Sequence, residues 1–367
     1  MQYGYRIVQI TDVPGWRSFQ PDLSKFESVQ VCPIHQEGLD RATEVVGSNG
    51  SIRIGICPLC GLTGYMGRPT GEATNAFYAN EWMGERLSEA VEKANQEKKD
   101  IKSQQHYTNN TSTPVLEIGC GYGGQINLLQ KSGYTDISAI EGCRVRAEAV
   151  RRVFDIPVFD GDFLELDLGR RRYGLIITNH VMEHVPDPLA FVQKCSELQD
   201  IGDTLIISVP NIWHEPTMGM LLFAPHLWSF STFSIVELLH RCGYVINMIH
   251  LNVGLAVSAI RTATTNDIAR NANDFAEFCN KNNEPTDNFA NRVIENLLTG
   301  LGFRLHGQYE LCWQKGVDGS SLTPRLHTKL EERCDRKIVV EPLTAGQFKT
   351  SAPIEIQFDG PVTLFQK

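Results

Sequence analysis

The sequence predicts an α/β protein built on a largely parallel sheet. Three observations carry this. Between residues 114 and 262, short apolar runs alternate with amphipathic helical stretches. A glycine-rich turn follows the first apolar run. Two strand-like runs at hairpin spacing, YVINMIH and GLAVSAIRT, close the region.

The elements follow in order. VLEIG reads as a buried strand, INLLQKSG as a helix, DISAIEG as a second strand and RVRAEAVRRVF as a second helix. PVFDGD, YGLIITN and DTLIISVPN supply three more strands, with a helix through LAFVQKCSELQ between the last two. A further helix falls near FSIVELLHRCG, and the two closing runs suggest an antiparallel hairpin at the sheet edge. Strands buried on both faces and separated by helices define parallel βαβ units. Four segments result. They are an amino-terminal region (1–95) with strand-like YRIVQI and SIRIGI and a helix through NEWMGERLSEAVEKA, a polar linker (96–113), the α/β domain (114–262), and a carboxyl-terminal α+β extension (263–367). In the extension, 263–300 reads as helical, and RKIVVEPL, PIEIQFDG and PVTLFQK alternate like strands. It is a candidate for homo-oligomer contact.

Composition narrows the function. At 42% hydrophobic and 21% charged, the chain is an ordinary globular one. Its 34 Lys+Arg against 43 Asp+Glu argue against a general nucleic-acid or anionic-membrane binder. No apolar run is long enough to cross a bilayer. The opening MQYGYRIVQITDV has no basic segment followed by an apolar one, so no secretory signal is expected there. Ten scattered cysteines then read as reduced thiols in a cytoplasmic protein.

The turn reads Val115-Leu116-Glu117-Ile118-Gly119-Cys120-Gly121-Tyr122-Gly123-Gly124. Glycine lets the backbone turn tightly and approach a ligand. Gly119, Gly121 and Gly124 also satisfy G-x-G-x-x-G, a weak dinucleotide signal by itself. Glu117 argues for another ligand: a carboxylate there repels pyrophosphate but suits a cationic amino group. Glu141, ending the second strand, can accept hydrogen bonds from both hydroxyls of a ribose. Asp162, beside Phe163 in FDGDF, can accept from an exocyclic adenine amine, with Asp160 its near competitor. The set suits an adenosyl group joined to an amino acid.

These segments resemble the class I S-adenosylmethionine (SAM) dependent methyltransferases. The resemblance runs over about 114–262 through VLEIGCGYGG, AIEGC, GDF, YGLIITNHVMEHVPDP and GDTLIISVPN. It is closest to the small-molecule subgroup with EHVPDP after the fourth strand. It implies a Rossmann-like sheet of seven strands, the last antiparallel, with SAM over the strands' carboxyl ends. The cofactor-binding residues expected are Glu117, Gly119, Gly121, Gly123, Glu141, Asp162, Phe163 and Asn179.

Methyl transfer to a hydroxyl benefits from a general base, often histidine. Asn179 and His180 end strand four, Glu183 and His184 follow, His214 comes after strand five, and His226 lies in FAPHLWSFS. His180, His184 and His226 are the catalytic candidates; each also has a plain packing or hydrogen-bonding reading. Tyr78 and Trp82 are a candidate aromatic lid, with helix packing as the blander alternative.

Cys32-Pro-Ile-His35 and Cys57-Pro-Leu-Cys60 form a C-x2-H and a C-x2-C pair. Three sulfurs and one imidazole suit tetrahedral structural zinc, with no open position for Lewis-acid chemistry. The module resembles that of deoxysugar C-methyltransferases, down to Cys60-Gly61-Leu62, although His35 replaces a cysteine and 263–367 does not match that group's carboxyl-terminal domain. The expected function is SAM-dependent methylation of a small-molecule acceptor, first a hydroxyl of a sugar, nucleotide-sugar or specialised metabolite. A sugar C-methyltransferase is the near alternative. A zinc-braced scaffold with a degenerate SAM fold, a nicotinamide oxidoreductase and a macromolecular methyltransferase are the more distant ones.

Overall fold

A computed structural model describes residues 26–47, 50–57, 59–60, 62–72, 85–100, 107–108, 110–210, 226–251, 254–281, 306–315, 322–331 and 354–355. In chain order these hold β1 (Phe26–Ser28), β2 (Asp40–Gly47), β3 (Gly50–Ile56), β4 (Thr63–Tyr65), β5 (Gly67–Pro69), α1 (Leu87–Lys99), β6 (Val115–Ile118), α2 (Gly124–Lys131), β7 (Ile137–Glu141) and α3 (Arg144–Phe154). There follow β8 (Val158–Asp160), β9 (Leu175–Asn179), α4 (Pro188–Glu197), β10 (Thr204–Pro210), β11 (Trp228–Ser229), α5 (Thr232–Arg241), β12 (Tyr244–Leu251), β13 (Gly254–Arg261), α6 (Thr265–Lys281), β14 (His306–Lys315), β15 (Leu322–Glu331) and β16 (Ile354–Glu355).

The main sheet has seven strands in the order β12-β13-β10-β9-β6-β7-β8. β6, β7, β8, β9 and β10 are parallel, and β13 runs antiparallel to both β10 and β12. This is the Rossmann-like arrangement expected from the sequence. β6 and β7 are buried along their whole length, as strands covered on both faces must be. β10 alternates instead between buried and half-buried residues. The closing hairpin places β13 inside the sheet and β12 at its edge.

Helix ends follow local chemistry. Pro188 opens α4, whose Asp187 cap accepts from Ala190 N at 3.0 Å. Ser231 caps α5 by accepting from Ser234 N at 3.2 Å. α1 packs against α2 and α3, so the helix preceding the polar stretch lies on the α/β domain. That helix extends to Lys99, into the stretch read as linker, and Asn127 Nδ2 donates to the Glu97 carbonyl at 2.6 Å.

The amino-terminal strands β2, β3 and β4 build a second sheet with β11 and the carboxyl-terminal β16, in the order β11-β4-β3-β2-β16. β11 comes from the segment leading into α5, so this sheet is joined to the α/β domain by backbone pairing, Trp228 opposite Gly64. A Cβ on Gly64 would stand 2.4 Å from the Trp228 ring, so only glycine permits this approach. Trp228 Nε1 and Arg68 Nη2 both donate to the Pro186 carbonyl, each at 3.1 Å. The guanidinium of Arg68 also sits 4.9 Å from the Trp228 ring centre. Strand-like SIRIGI falls in β3. YRIVQI, RKIVVEPL and PVTLFQK lie outside the described residues, as do residues 282–300 of the helical reading. The sequence reading did not single out the β14–β15 hairpin.

Candidate active site and metal cluster

A cavity of about 430 Å³ opens at the carboxyl ends of β6, β7, β8 and β9. In open α/β sheets this is where ligands bind, because loops there splay apart. Its lining includes Gly119, Gly121, Glu141, Arg146, Asp162, Phe163, Asn179, His180 and His184.

The glycine turn is set by backbone geometry. Gly119, Gly121 and Gly123 have φ of 78°, 55° and 87°. A Cβ on Gly119 would fall 2.2 Å from Val181 Cγ2, whereas one on Gly121 would meet nothing within 4 Å. Gly119 thus serves packing and Gly121 leaves open space at the cavity. Gly123 caps α2 and faces the Phe154 ring, away from the cavity lining.

Glu141 ties the turn to β7. Its Oε2 accepts from Gly121 N at 2.8 Å and its Oε1 from Cys143 N at 3.0 Å. Each oxygen keeps a lone pair for a further donor. Burial pushes its pKa up, opposed by those two amides and by Arg146. Asp162 lines the cavity and its Oδ1 accepts from Leu164 N at 3.0 Å, while Asp160 is turned to Arg151 at 2.7 Å. Phe163 is buried edge-on against Phe191, with ring centres 4.8 Å apart. Glu117 is buried behind the turn, outside the lining of this cavity.

The histidine candidates converge on one carboxylate. Glu183, 1% exposed, lies in a 3-10 turn, Met182–His184, directly after β9. Its Oε1 is 3.4 Å from His180 Nδ1 and 3.8 Å from His184 Nε2. His226, just before β11, stands edge-on to His184 with ring centres 4.8 Å apart. Burial would raise the Glu183 pKa, but His180, His184 and His226 outweigh it and hold the group below the ordinary carboxylate range. His180 adopts φ 53°, a costly conformation for a residue without glycine's freedom. His214, Tyr78 and Trp82 lie outside the described residues.

The second cluster is amino-terminal. The ligand atoms of Cys32, His35, Cys57 and Cys60 lie within 4.8 Å of one another. Cys32 Sγ is 3.9 Å from Cys60 Sγ and from His35 Nδ1, and Cys57 Sγ is 3.6 Å from that nitrogen. Tetrahedral zinc bonds of ordinary length would put sulfurs about 3.8 Å apart and sulfur about 3.6 Å from nitrogen. Cys32, Cys57, Cys60, Cys120, Cys143, Cys195 and Cys242 are free. Cys57 is pulled far below the usual thiol range by the sulfurs of Cys32 and Cys60. His35 is raised to about 11: burial opposes its charge, but the two nearby sulfurs and Glu237 outweigh that cost.

Two features escaped the sequence reading. Glu237, on α5, lies with Oε1 3.1 Å from His35 Nε2, across 202 positions of chain. Arg146, 13% exposed at its side chain, lines the cavity beside a network in which Tyr122 Oη donates to Glu85 at 2.9 Å and Lys93 Nζ donates to Glu85 at 2.5 Å. No local motif announces either.

The parallel sheet with a cavity at its strands' carboxyl ends is the arrangement in which open α/β folds hold a ligand. Residues 79–247 match a family model described as a methyltransferase domain. Over 143 residues it is 24% identical to 2-methyl-6-phytyl-1,4-hydroquinone methyltransferase of Synechocystis sp., covering 34% of this chain and 43% of that protein. Over 117 residues it is 28% identical to the ubiquinone biosynthesis O-methyltransferase of Histophilus somni, covering 29% of this chain and 49% of that protein. The chain thus spans less than half the length of these relatives. Among solved structures, magnesium protoporphyrin IX methyltransferase of Synechocystis with bound S-adenosylhomocysteine is 13% identical, with 52% of this chain and 98% of that one covered and a TM-score of 0.36.

Proposed function

We propose that this chain is a SAM-dependent methyltransferase that methylates a hydroxyl of a small-molecule acceptor. The observation that carries the reading is the cavity at the carboxyl ends of the parallel strands, bounded by the Gly119–Gly121 turn, Glu141 and Asp162, with His180 and His184 on another part of its wall. The fold that supports it places ligand and loops at the same edge.

SAM supplies an electrophilic methyl group on a sulfonium. The chain's residues bind and orient. Gly119 and Gly121 let the backbone approach the amino-acid portion, Glu117 attracts its ammonium from behind the turn, and Gly123 starts α2. Glu141 accepts from the ribose hydroxyls with the lone pairs left over from Gly121 and Cys143. Asp162 accepts from the adenine amine, Phe163 packs beside the base, and Asn179 bounds the cavity at the end of β9. His180 and His184 face the cavity, while His226 backs His184; one of the three takes the acceptor proton, and Glu183 stabilises the resulting imidazolium.

Cys32, His35, Cys57 and Cys60 hold one structural zinc ion. Through β4 and β11 the ion braces Pro186, itself on the cavity wall. The zinc-bearing strands thereby shape the acceptor side. The relatives are named for hydroquinone methylation and for an O-methylation in ubiquinone biosynthesis, so phenolic and quinol hydroxyls lead the acceptor list. A sugar acceptor draws no support from them. The free cysteines fit a reducing, cytoplasmic setting, and no helix among the described residues is long and apolar enough to cross a membrane. Residues 1–95, 96–113, 114–262 and 263–367 form the zinc-bearing region, linker, catalytic domain and extension, the last a candidate dimer contact.

The test is methyl transfer from isotopically labelled SAM to a panel of quinols, phenols and sugars, with products identified by mass spectrometry. Labelled methyl ether supports the reading. No transfer to any acceptor by protein that also fails to bind S-adenosylhomocysteine overturns it.

A further inference from the structure

We propose that Glu183, His184 and His226 form a second, open metal site, one that takes a divalent first-row ion in the cavity wall and presents it to the acceptor oxygen. One ligand atom from each residue lies within 4.8 Å of the other two. Two imidazoles and one carboxylate are the donor set that borderline divalent ions such as Zn2+, Co2+ and Fe2+ accept. The set differs in kind from the sulfur-rich amino-terminal cluster.

The second, independent observation is the state of Glu183. Its side chain is 1% exposed and neither carboxylate oxygen accepts a hydrogen bond. Imidazole nitrogens of His180 and His184 stand 3.4 and 3.8 Å from its Oε1, ion-pair distances without a well-aligned hydrogen bond. A buried carboxylate without hydrogen bonds is costly, and a bound cation is one of few ways to offset that cost.

The surrounding structure fixes the three ligands. Glu183 and His184 are adjacent in the 3-10 turn after β9. His226 is brought to them by the β11–β4 pairing and by the bond from Trp228 Nε1 to the Pro186 carbonyl. Of the three residues His184 lines the cavity, so an ion held here would lie at the cavity wall. Three protein ligands with open positions is the pattern of a reactive ion, in contrast to a closed four-ligand site.

The role rests on the methyltransferase reading above. Coordination of the acceptor hydroxyl lowers its pKa, and its proton passes to water or to His180, the one of the three histidine candidates that is not a ligand in this arrangement. The oxygen lone pair then forms the new C–O bond as the S–C bond breaks and its electrons remain on sulfur. The ion does not change oxidation state.

The test uses the full chain loaded with Co2+, with metal content, visible absorption and S-adenosylhomocysteine titration measured on the same samples. Wild type is expected to bind two Co2+. His226→Ala and Glu183→Gln each retain one, with the thiolate-to-cobalt charge-transfer band of the Cys cluster intact, and bind the second at least about tenfold more weakly. Cys57→Ser loses that band and keeps the other ion. The retained band reports folding in the first two variants, and the two substitutions differ in bulk and burial. A single Co2+ in wild type, or two undiminished in both Glu183→Gln and His226→Ala, overturns the proposal. If S-adenosylhomocysteine binds while only one Co2+ does, the metal site falls and the methyltransferase reading stands. If two Co2+ bind and S-adenosylhomocysteine does not, the site stands and the methyltransferase reading falls.

Discussion

His35 and Glu237 join the amino-terminal cluster to the α/β domain: imidazole Nε2 lies 3.1 Å from carboxylate Oε1, leaving Nδ1 turned toward the cysteine sulfurs. A carboxylate on the far nitrogen of a metal-binding histidine fixes its tautomer and raises its basicity. Glu237→Ala is therefore expected to weaken zinc retention by about 10–100-fold. Competition with a chromophoric chelator reads this directly, and an unchanged zinc affinity would remove Glu237 from the account.

Replacing a ligand goes further. Cys57→Ser is expected to abolish stoichiometric zinc and lower stability by at least about 2 kcal/mol, since metal binding contributes to folding. Elemental analysis and thermal unfolding of the same preparation check both. Full zinc content in the variant contradicts the four-ligand assignment.

The glycine turn separates two kinds of cost. Gly119→Ala combines φ 78° with a Cβ 2.2 Å from Val181, and is expected to cost about 2–4 kcal/mol and most of the cofactor affinity. Gly121→Ala, at φ 55° with nothing within 4 Å, carries strain alone, about 1 kcal/mol. Denaturant melts of the two variants rank them. Equal losses would mean that the Val181 contact does not matter.

Glu141 gives a pH dependence whose sign is fixed. Burial raises its folded pKa, so the apo protein favours the protonated form: that contribution is complete below the ordinary carboxylate value and lost as pH rises through the raised one. Ribose hydroxyls donate to the carboxylate and so favour its ionised form. S-adenosylhomocysteine affinity is expected to rise with pH as Glu141 ionises and then level off. Glu141→Gln should flatten the profile and weaken binding by about tenfold or more. Calorimetric titrations at several pH values decide; a sloping profile in the variant would assign the titration to another group.

What the sequence made legible was local. The buried runs at 115–118 and 137–141 declare strands because both faces are covered, and the C-x2-H and C-x2-C pairs declare the cluster because each pair sits in one short turn. The carboxyl ends of β6, β7 and β9 follow from the βαβ order, so Gly119, Glu141 and Asn179 could be placed together on the cavity. The missing pieces are long-range. Glu237 reaches His35, Glu85 reaches Tyr122, and Trp228 reaches Gly64 through tertiary packing that no periodicity encodes. Glu183 was visible as a residue of EHVPDP, but its burial among three histidines depends on β11 delivering His226. The β14–β15 hairpin escaped because its charged and polar residues dilute the alternation.

The central claim, that the cavity above the parallel strands binds the adenosyl cofactor, is tested most directly by calorimetric titration of the zinc-loaded chain with S-adenosylhomocysteine, with Glu141→Ala alongside. One equivalent bound by wild type and markedly weaker binding by the variant is the expected result. No binding by folded wild type, or equal affinity in both proteins, would contradict the account.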